Sequence, residues 1–111
     1  MGINRGEIWM IDLNPVIGHE QSGVRPALVI SDDLFNHSFA EMVIVLPITS
    51  KKKGIPSHVE LEAAVLRMTS YVKTEDIRSV STKRLIRKVA EVDTKVIAQV
   101  EERLKLLLGI I

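Results

Sequence analysis

The sequence predicts a small domain of the α+β class that is mainly β, a curled sheet or barrel closed by one C-terminal helix. Short apolar runs recur along residues 7–92, Pro and Gly residues separate them, and one helical pattern follows Asp93. Of the 111 residues, 46% are hydrophobic and 26% are charged. These values are typical of a globular chain, and we expect residues 1–111 to form a single domain.

The first half of the chain contains three strand-like runs. They occupy residues 7–13, 27–30 and 42–48. Each combines apolar and β-branched side chains with flanking turn residues, as strands do. Between the first two runs, residues 16–24 are rich in Gly and polar side chains and predict a loop. Ser31 or Asp32 is a good N-cap for a short helix that extends to about Asn36.

The second half alternates shorter strands with turns and ends in the clearest element of the chain. Predicted strands occupy residues 58–62, two brief stretches within 70–80 around Thr74-Glu75, and residues 88–92, with one helical turn at 82–86. Asp93 is a good N-cap, and apolar residues then recur at helical spacing until Gly109. The pattern therefore predicts an amphipathic helix that covers the sheet.

Composition excludes several kinds of chemistry. The chain has no cysteine, so disulfides, thiolate metal sites and cysteine nucleophiles are ruled out. Its three histidines do not pair at metal-ligand spacing, and neither a phosphate-binding glycine loop nor a serine elbow is present. We therefore expect no metal and no cofactor. No apolar run has the length of a signal peptide or membrane span, so we expect a cytoplasmic protein without a membrane partner.

Basic residues are concentrated in the second half of the chain. Residues 1–50 hold two basic and six acidic side chains, whereas residues 51–111 hold thirteen basic and eight acidic ones. Two clusters stand out, Lys51-Lys52-Lys53 and Lys83-Arg84 with Arg87-Lys88. Such clusters bind the phosphate backbone of nucleic acids, although a basic run is also an ordinary solvated surface.

The remaining candidates for chemistry are Arg25, Thr49 and Glu20. RNA carries its own nucleophile, the 2′-hydroxyl, so an enzyme must orient it, stabilise a charged phosphorane and move two protons. The arginine fork and the threonine hydroxyl suit the phosphorane oxygens, and a carboxylate suits the proton. Each also has a structural explanation, namely a surface ion pair for Arg25, a loop cap for Thr49 and solvation for Glu20. Composition and spacing leave these alternatives open.

Several motifs together resemble the MazF/PemK family of toxin endoribonucleases along nearly the whole chain. The most specific is a Glu-Gln-x-Gly-x-Arg-Pro block within residues 18–26. The supporting motifs are Arg5-Gly6-Glu7-Ile8-Trp9, Pro47-Ile48-Thr49-Ser50, Pro56-Ser57-His58-Val59 and Ile77-Arg78-Ser79. The C-terminal helix agrees with this resemblance but is not specific to the family.

The resemblance implies a fold and an activity. The fold is a small SH3-like barrel of the CcdB/PemK type with a C-terminal helix, paired as a homodimer. The activity is that of a toxin of a type II toxin–antitoxin system, which cleaves single-stranded RNA at a short sequence without metal or ribosome. The products are a 2′,3′-cyclic phosphate and a 5′-hydroxyl, and the loss of mRNA inhibits translation and growth. A MazE-like antitoxin occludes the RNA groove.

By this resemblance, Arg25 and Thr49 are the catalytic pair. Because arginine has a pKa far above neutrality, we assign it to the phosphorane and assign the 2′-hydroxyl proton to Glu20 or to a water that it orients. The candidate RNA-binding residues are His19, Gln21, Ser50, Lys51, Lys52, His58, Asp76 and Arg78. Asp76 departs from the Gln usual in the family, and an ionised Asp only accepts hydrogen bonds, so we expect a different base preference.

Two alternatives compete with the endoribonuclease. A CcdB-like toxin shares the fold but poisons gyrase without cutting RNA, and the presence of Arg25 and Thr49 disfavours it. A catalytically silent RNA-binding barrel is the second alternative. The chain has few aromatic residues for stacking on bases, and Trp9 lies in a strand pattern that predicts a core position.

Overall fold

The computed structural model describes residues 2–14 and 23–111. The strands are β1 (Glu7–Asp12), β2 (Val24–Val29), β3 (Met42–Thr49), β4 (His58–Leu61), β5 (Ser70–Lys73), β6 (Arg78–Ser81) and β7 (Leu85–Glu91). The helices are α1 (Asp33–Asn36), α2 (Ala63–Leu66) and α3 (Thr94–Leu108), with 3-10 turns at Thr74–Asp76 and Thr82–Arg84. The predicted α+β, mainly β class with a C-terminal helix is confirmed.

Two strands begin earlier than the sequence predicts, and one short helix was not predicted. β2 begins at Val24 rather than at residue 27, because Val24, Arg25 and Pro26 already pair with β1. β7 begins at Leu85, three residues before the predicted start, through its pairing with β1. α2 was not predicted, since four residues are too few to show a helical period.

The sheet is antiparallel and curls at β3. Its strand order is β4-β5-β3-β2-β1-β7, and β6 also pairs with β3. The first half of β3 pairs with β6, from Met42 to Val45, and its end pairs with β5 at Ile48 and Thr49. One edge of β3 therefore pairs first with β6 and then with β5. This change of partner bends the sheet along β3.

Alternation along the central strands sorts the apolar side chains into two cores. In β1 and β2, Trp9, Ile11, Ala27 and Val29 belong to one buried cluster. Ile8 and Leu28, at positions of opposite parity, belong to the other cluster, which includes Val100 of α3. Successive residues of a strand point to opposite faces, so the sheet is buried on both sides. Trp9 is 7% exposed, which confirms its predicted core position.

α3 is fixed at both ends by the residues that the sequence predicts. The Asp93 carboxylate accepts a hydrogen bond from Val96 N at 3.0 Å, and Gly109 adopts a left-handed conformation with φ of 69°. Arg5 links the N-terminal segment to this helix, because its Nη2 lies 2.8 Å from Glu101 Oε2. Within the described ranges, no helix is long and apolar enough to cross a bilayer.

Candidate active site

A cavity of about 680 Å³ opens where β2, the end of β3, β7 and α2 meet. Its walls combine apolar side chains with hydroxyl groups and cations. The lining residues are Met10, Arg25, Pro26, Ile48, Thr49, Ser50, Val65, Leu66, Arg67, Met68, Ser70, Arg87, Lys88 and Val89. We refer to this space as the Arg25 cavity.

Arg25 and Thr49 lie on neighbouring strands of the sheet and line the same cavity. The two strands pair antiparallel from Val29–Val45 to Ala27–Pro47, and Arg25 and Thr49 each lie two residues beyond the last of these pairs. The two side chains can therefore act on a single group between them.

Thr49 is held in place at the end of its strand. It is 9% exposed, and its Oγ1 accepts a hydrogen bond from Lys51 N at 3.2 Å. A threonine hydroxyl that accepts from the backbone keeps its own proton for donation. Thr49 can thus cap the turn, which was the structural explanation given for it above, and its hydroxyl can still donate a hydrogen bond into the cavity.

The Arg25 cavity is strongly cationic. Arg25, Arg67, Arg87 and Lys88 line it, and none of its described lining residues is acidic. Cations that surround a concave surface without carboxylates concentrate anions there. The charge and the hydroxyl groups of the lining fit a phosphate ester better than a neutral ligand.

Two carboxylates balance the charge of Lys88, one of the cations in the lining. Its Nζ lies 3.1 Å from Glu7 Oε2 and also contacts Glu91 Oε1. Hydrogen bonds to Glu91 and Glu7 raise the pKa of Lys88 above its ordinary value. Lys88 therefore belongs to the framework of the site as well as to its surface.

Glu7 is a buried carboxylate beneath this lysine. It accepts hydrogen bonds from Asn4 N at 2.8 Å and from the indole nitrogen of Trp9 at 3.0 Å. Burial by itself raises the pKa of Glu7, but these two hydrogen bonds and the charge of Lys88 outweigh burial and lower the pKa. The carboxylate thus stays ionised and links the core tryptophan to the cavity wall.

Three predicted site residues, His19, Glu20 and Gln21, lie outside the described residues. The described residues that precede and follow this segment are hydrogen-bonded to each other. Leu13 N donates to Gly23 O at 3.0 Å, and Gly23 N donates to Asn14 Oδ1 at 3.1 Å. Gly23 has φ of 76°, a conformation that favours glycine, and it leads directly into β2 and Arg25.

The other predicted RNA-binding residues divide between two regions. Ser50 lines the Arg25 cavity, and Lys51 and Lys52 are exposed immediately after it. Asp76 and Arg78 do not line this cavity. Asp76 Oδ2 lies 2.7 Å from Lys73 Nζ, and Arg78 pairs with Val45 in the middle of β3.

His58 is paired with a carboxylate of the same chain. Its ring is 3% exposed, and Nε2 lies 2.8 Å from Glu75 Oε2. Ser57 Oγ donates to the other oxygen of the same carboxylate at 2.7 Å. Burial by itself raises the pKa of Glu75, but the hydrogen bonds from Ser57 and His58 outweigh it and lower the pKa. His58 lines a second cavity, of about 610 Å³, between β4 and α3.

Sequence reasoning missed part of the cavity wall. Arg87 and Lys88 stand in a basic cluster but were not assigned to the site. Arg67 carried no signal, because it follows a helix that the sequence does not predict. Among the residues that the structure describes, no three His, Asp or Glu side chains form a group that could hold a metal ion.

The profile of the PemK-like, MazF-like toxins of type II toxin–antitoxin systems matches residues 4–108. The chain belongs to this family. It is 37% identical to endoribonuclease EndoA of Bacillus subtilis, and the match covers 100% of this chain and 98% of EndoA. Family membership and this full-length match identify the chain as a toxin endoribonuclease, and they support this reading over a gyrase poison.

Solved structures of the MazF family agree with the fold. MazF of Deinococcus radiodurans superposes with a TM-score of 0.87 at 32% identity, with 98% of each chain covered. A MazE–MazF complex from the same organism gives a TM-score of 0.83 at 33% identity, covering 100% of this chain and 99% of that one. The predicted family and fold are therefore confirmed.

Proposed function

We propose that this toxin cleaves single-stranded RNA within the Arg25 cavity by a metal-independent transesterification, with Arg25 and Thr49 as its catalytic residues. The observation that carries the proposal is the placement of this arginine and this threonine on adjacent strands of one cationic cavity. We place this activity in the cytoplasm.

The chemistry requires one bond to form and one to break. The 2′-oxygen of the ribose attacks the adjacent phosphorus and loses its proton, and a pentacoordinate phosphorane forms. The bond from phosphorus to the 5′-oxygen then breaks, and that oxygen receives a proton. The products are a 2′,3′-cyclic phosphate and a 5′-hydroxyl, and no oxidant or reductant is consumed.

Arg25 and Thr49 supply electrostatic stabilisation in this scheme. The guanidinium donates two parallel hydrogen bonds to the non-bridging phosphate oxygens, and its charge is permanent. The Thr49 hydroxyl donates a further hydrogen bond to the same oxygens. Fixed donors that point at developing charge contribute a large share of catalysis in sites of this kind.

Glu20 is our candidate for the acceptor of the 2′-hydroxyl proton, directly or through a water. The proposal rests on chemistry, because arginine is a poor base at neutral pH and a carboxylate is a competent one. A pH–rate profile of the Glu20→Gln variant tests it. A profile that matches the parent would eliminate Glu20 from proton transfer.

We further propose that the toxin is a homodimer. Apolar side chains at the end of α3 and beyond it are exposed in the single chain. They are Leu106, Leu107, Leu108, Ile110 and Ile111. A contiguous apolar surface of this kind is typical of subunit interfaces. Light scattering should give twice the chain mass, and Leu107→Lys should lower it, whereas a monomeric parent would refute the dimer.

An antitoxin that binds over the Arg25 cavity is the proposed regulator. The MazE–MazF complex of Deinococcus radiodurans, whose MazF is similar to this chain, supports the existence of an antitoxin partner. The cationic lining described here is complementary to an acidic segment. Inhibition of RNA cleavage by an acidic antitoxin peptide, weakened by added salt, is the expected behaviour.

Cleavage of a long single-stranded RNA in excess chelator is the decisive experiment. The parent should produce discrete fragments with 5′-hydroxyl ends, and both Arg25→Ala and Thr49→Val should lose at least about two orders of magnitude in rate. Lys95→Ala, which removes a cation outside the Arg25 cavity, is the matched control and should cut normally. Cleavage that chelator abolishes would refute the metal-independent mechanism.

A further inference from the structure

We propose that Arg67 and Arg87 bind RNA phosphates next to the scissile one and so form a phosphate-binding pair beside the catalytic residues. The inference rests on the proposed cleavage within the Arg25 cavity. It concerns two residues that neither their sequence pattern nor the comparisons with related proteins assign to the site.

Arg87 is placed by the strand pairing. In β7 it lies opposite Met10, and Met10 lies opposite Pro26 on its other side. Arg87, Met10 and Pro26 thus form a row across three strands and all line the Arg25 cavity. Two strand spacings, about 10 Å, separate Arg87 from the strand that carries Arg25. Arg87 and Arg25 line one cavity from strands that are two apart, so each can bind a different phosphate of the same RNA strand.

Arg67 lines the same cavity from the end of α2. It ends α2 with φ of 70°, a left-handed conformation that usually belongs to glycine or asparagine at this position. An arginine here keeps backbone strain that a glycine would relieve. From this position the Arg67 side chain lines the cavity together with Arg25 and Arg87.

Arg67 and Arg87 differ from Lys88 in their pairing with carboxylates. Lys88 contacts Glu7 and Glu91. Within residues 2–14 and 23–111, no carboxylate forms a salt bridge with Arg67 or Arg87, and both side chains are exposed. A phosphate can therefore bind them without first displacing an internal partner.

Salt dependence of RNA binding measures phosphate contacts directly. The probe is a 20-nucleotide single-stranded RNA of randomised sequence with 2′-O-methyl groups throughout, which blocks the nucleophile and averages over base contacts. Each phosphate contact makes the slope of log affinity against log salt more negative by about 0.7 for single strands. Each of Arg87→Gln and Arg67→Gln should therefore make this slope less negative by about 0.7 relative to the parent.

Two further variants separate binding from folding. Arg67→Gly removes the same cation but relieves the strain, so its RNA affinity should fall while its thermal stability does not. Lys95→Ala removes an exposed lysine at the start of α3, outside the cavity, and should leave the slope unchanged. In cleavage assays both arginine variants should raise KM more than they lower kcat.

The outcomes distinguish this inference from the proposed function. If the parent cuts RNA and both arginine variants keep the parental salt slope and KM, the phosphate-binding pair is refuted while the cleavage site stands. If the folded parent neither binds the probe nor cuts RNA, the proposed function itself fails. Equal loss of slope in Lys95→Ala would also overturn the inference, because it would indicate a diffuse charge effect.

Discussion

Replacing Glu7 by Gln tests how the core is joined to the wall of the Arg25 cavity. The substitution keeps the size of the side chain but removes the charge that accepts hydrogen bonds from Trp9 and Asn4 and contacts Lys88. Glu7 itself is buried, so these partners are not readily replaced by water. We expect a loss of stability at neutral pH together with a characteristic dependence on pH.

The expected magnitude follows from the contacts. A hydrogen bond to a charged group contributes roughly 1.5–3 kcal/mol, and a neutral one about 1 kcal/mol. The Gln carboxamide retains one acceptor oxygen, whereas its NH₂ group faces donors that it cannot satisfy. The free energy of unfolding should therefore fall by about 2 kcal/mol at pH 7.

The pH dependence has a definite sign. Because the pKa of Glu7 is lowered in the folded protein, its contribution is complete above its ordinary value of 4.5 and is lost as the pH falls through the folded pKa. Glu75 also has a lowered pKa, but it is present in both proteins and cancels in their difference. The difference between parent and variant should shrink below about pH 4.5.

Urea unfolding followed by tryptophan fluorescence is suited to this test, because Trp9 is the only tryptophan and contacts the altered residue. Unfolding curves at several values between pH 3 and pH 7 give the difference in free energy. A difference that stays constant across this range would refute the electrostatic explanation. It would indicate that the substitution disturbs packing instead.

Three further predictions concern catalysis and the framework. Arg25→Lys keeps the charge but loses the planar guanidinium, so single-turnover cleavage should slow by about 10²-fold while RNA affinity changes far less. Equal losses in cleavage rate and in affinity would contradict a role of Arg25 in the transition state. Asn36→Ala removes a buried amide whose Nδ2 donates to Ser31 O at 2.9 Å, so urea unfolding should show a loss of about 2 kcal/mol. Unchanged stability would mean that the amide is dispensable. Asp93→Ala removes the N-cap of α3 and should cost about 1 kcal/mol, measured as a fall in Tm that Asp93→Asn largely avoids.

Much of the fold could be predicted because its elements carry local signals. Residues 7–13 and 42–48 are apolar at both parities, which is the pattern of strands buried on both faces, and the two cores explain it. The helix at the C-terminus was predicted from its period, from Asp93 and from Gly109, and all three agree with the structure. These elements depend on residues that are close in sequence.

The site depended on information that is not local. Arg25 and Thr49 were assigned through a family resemblance, because nothing in their own neighbourhoods shows that β2 and β3 are adjacent strands. Arg67 was missed for a second reason. It follows a helix of four residues that has no period, and its left-handed conformation is a property of the backbone rather than of the residue type. Short elements that form by tertiary contact are therefore the weakest point of sequence reasoning here.

The cationic cavity also explains why the net charge of the chain did not predict a surface that attracts anions. The chain has a net charge of only +1. Several of its carboxylates form salt bridges with cations away from the cavity. Glu101 pairs with Arg5, and Asp76 pairs with Lys73. The Arg25 cavity, by contrast, has no acidic residue in its described lining. Local separation of charge therefore creates an anion-attracting surface on a nearly neutral protein. A low net charge limits non-specific binding to RNA, and the cationic lining attracts phosphates to the Arg25 cavity.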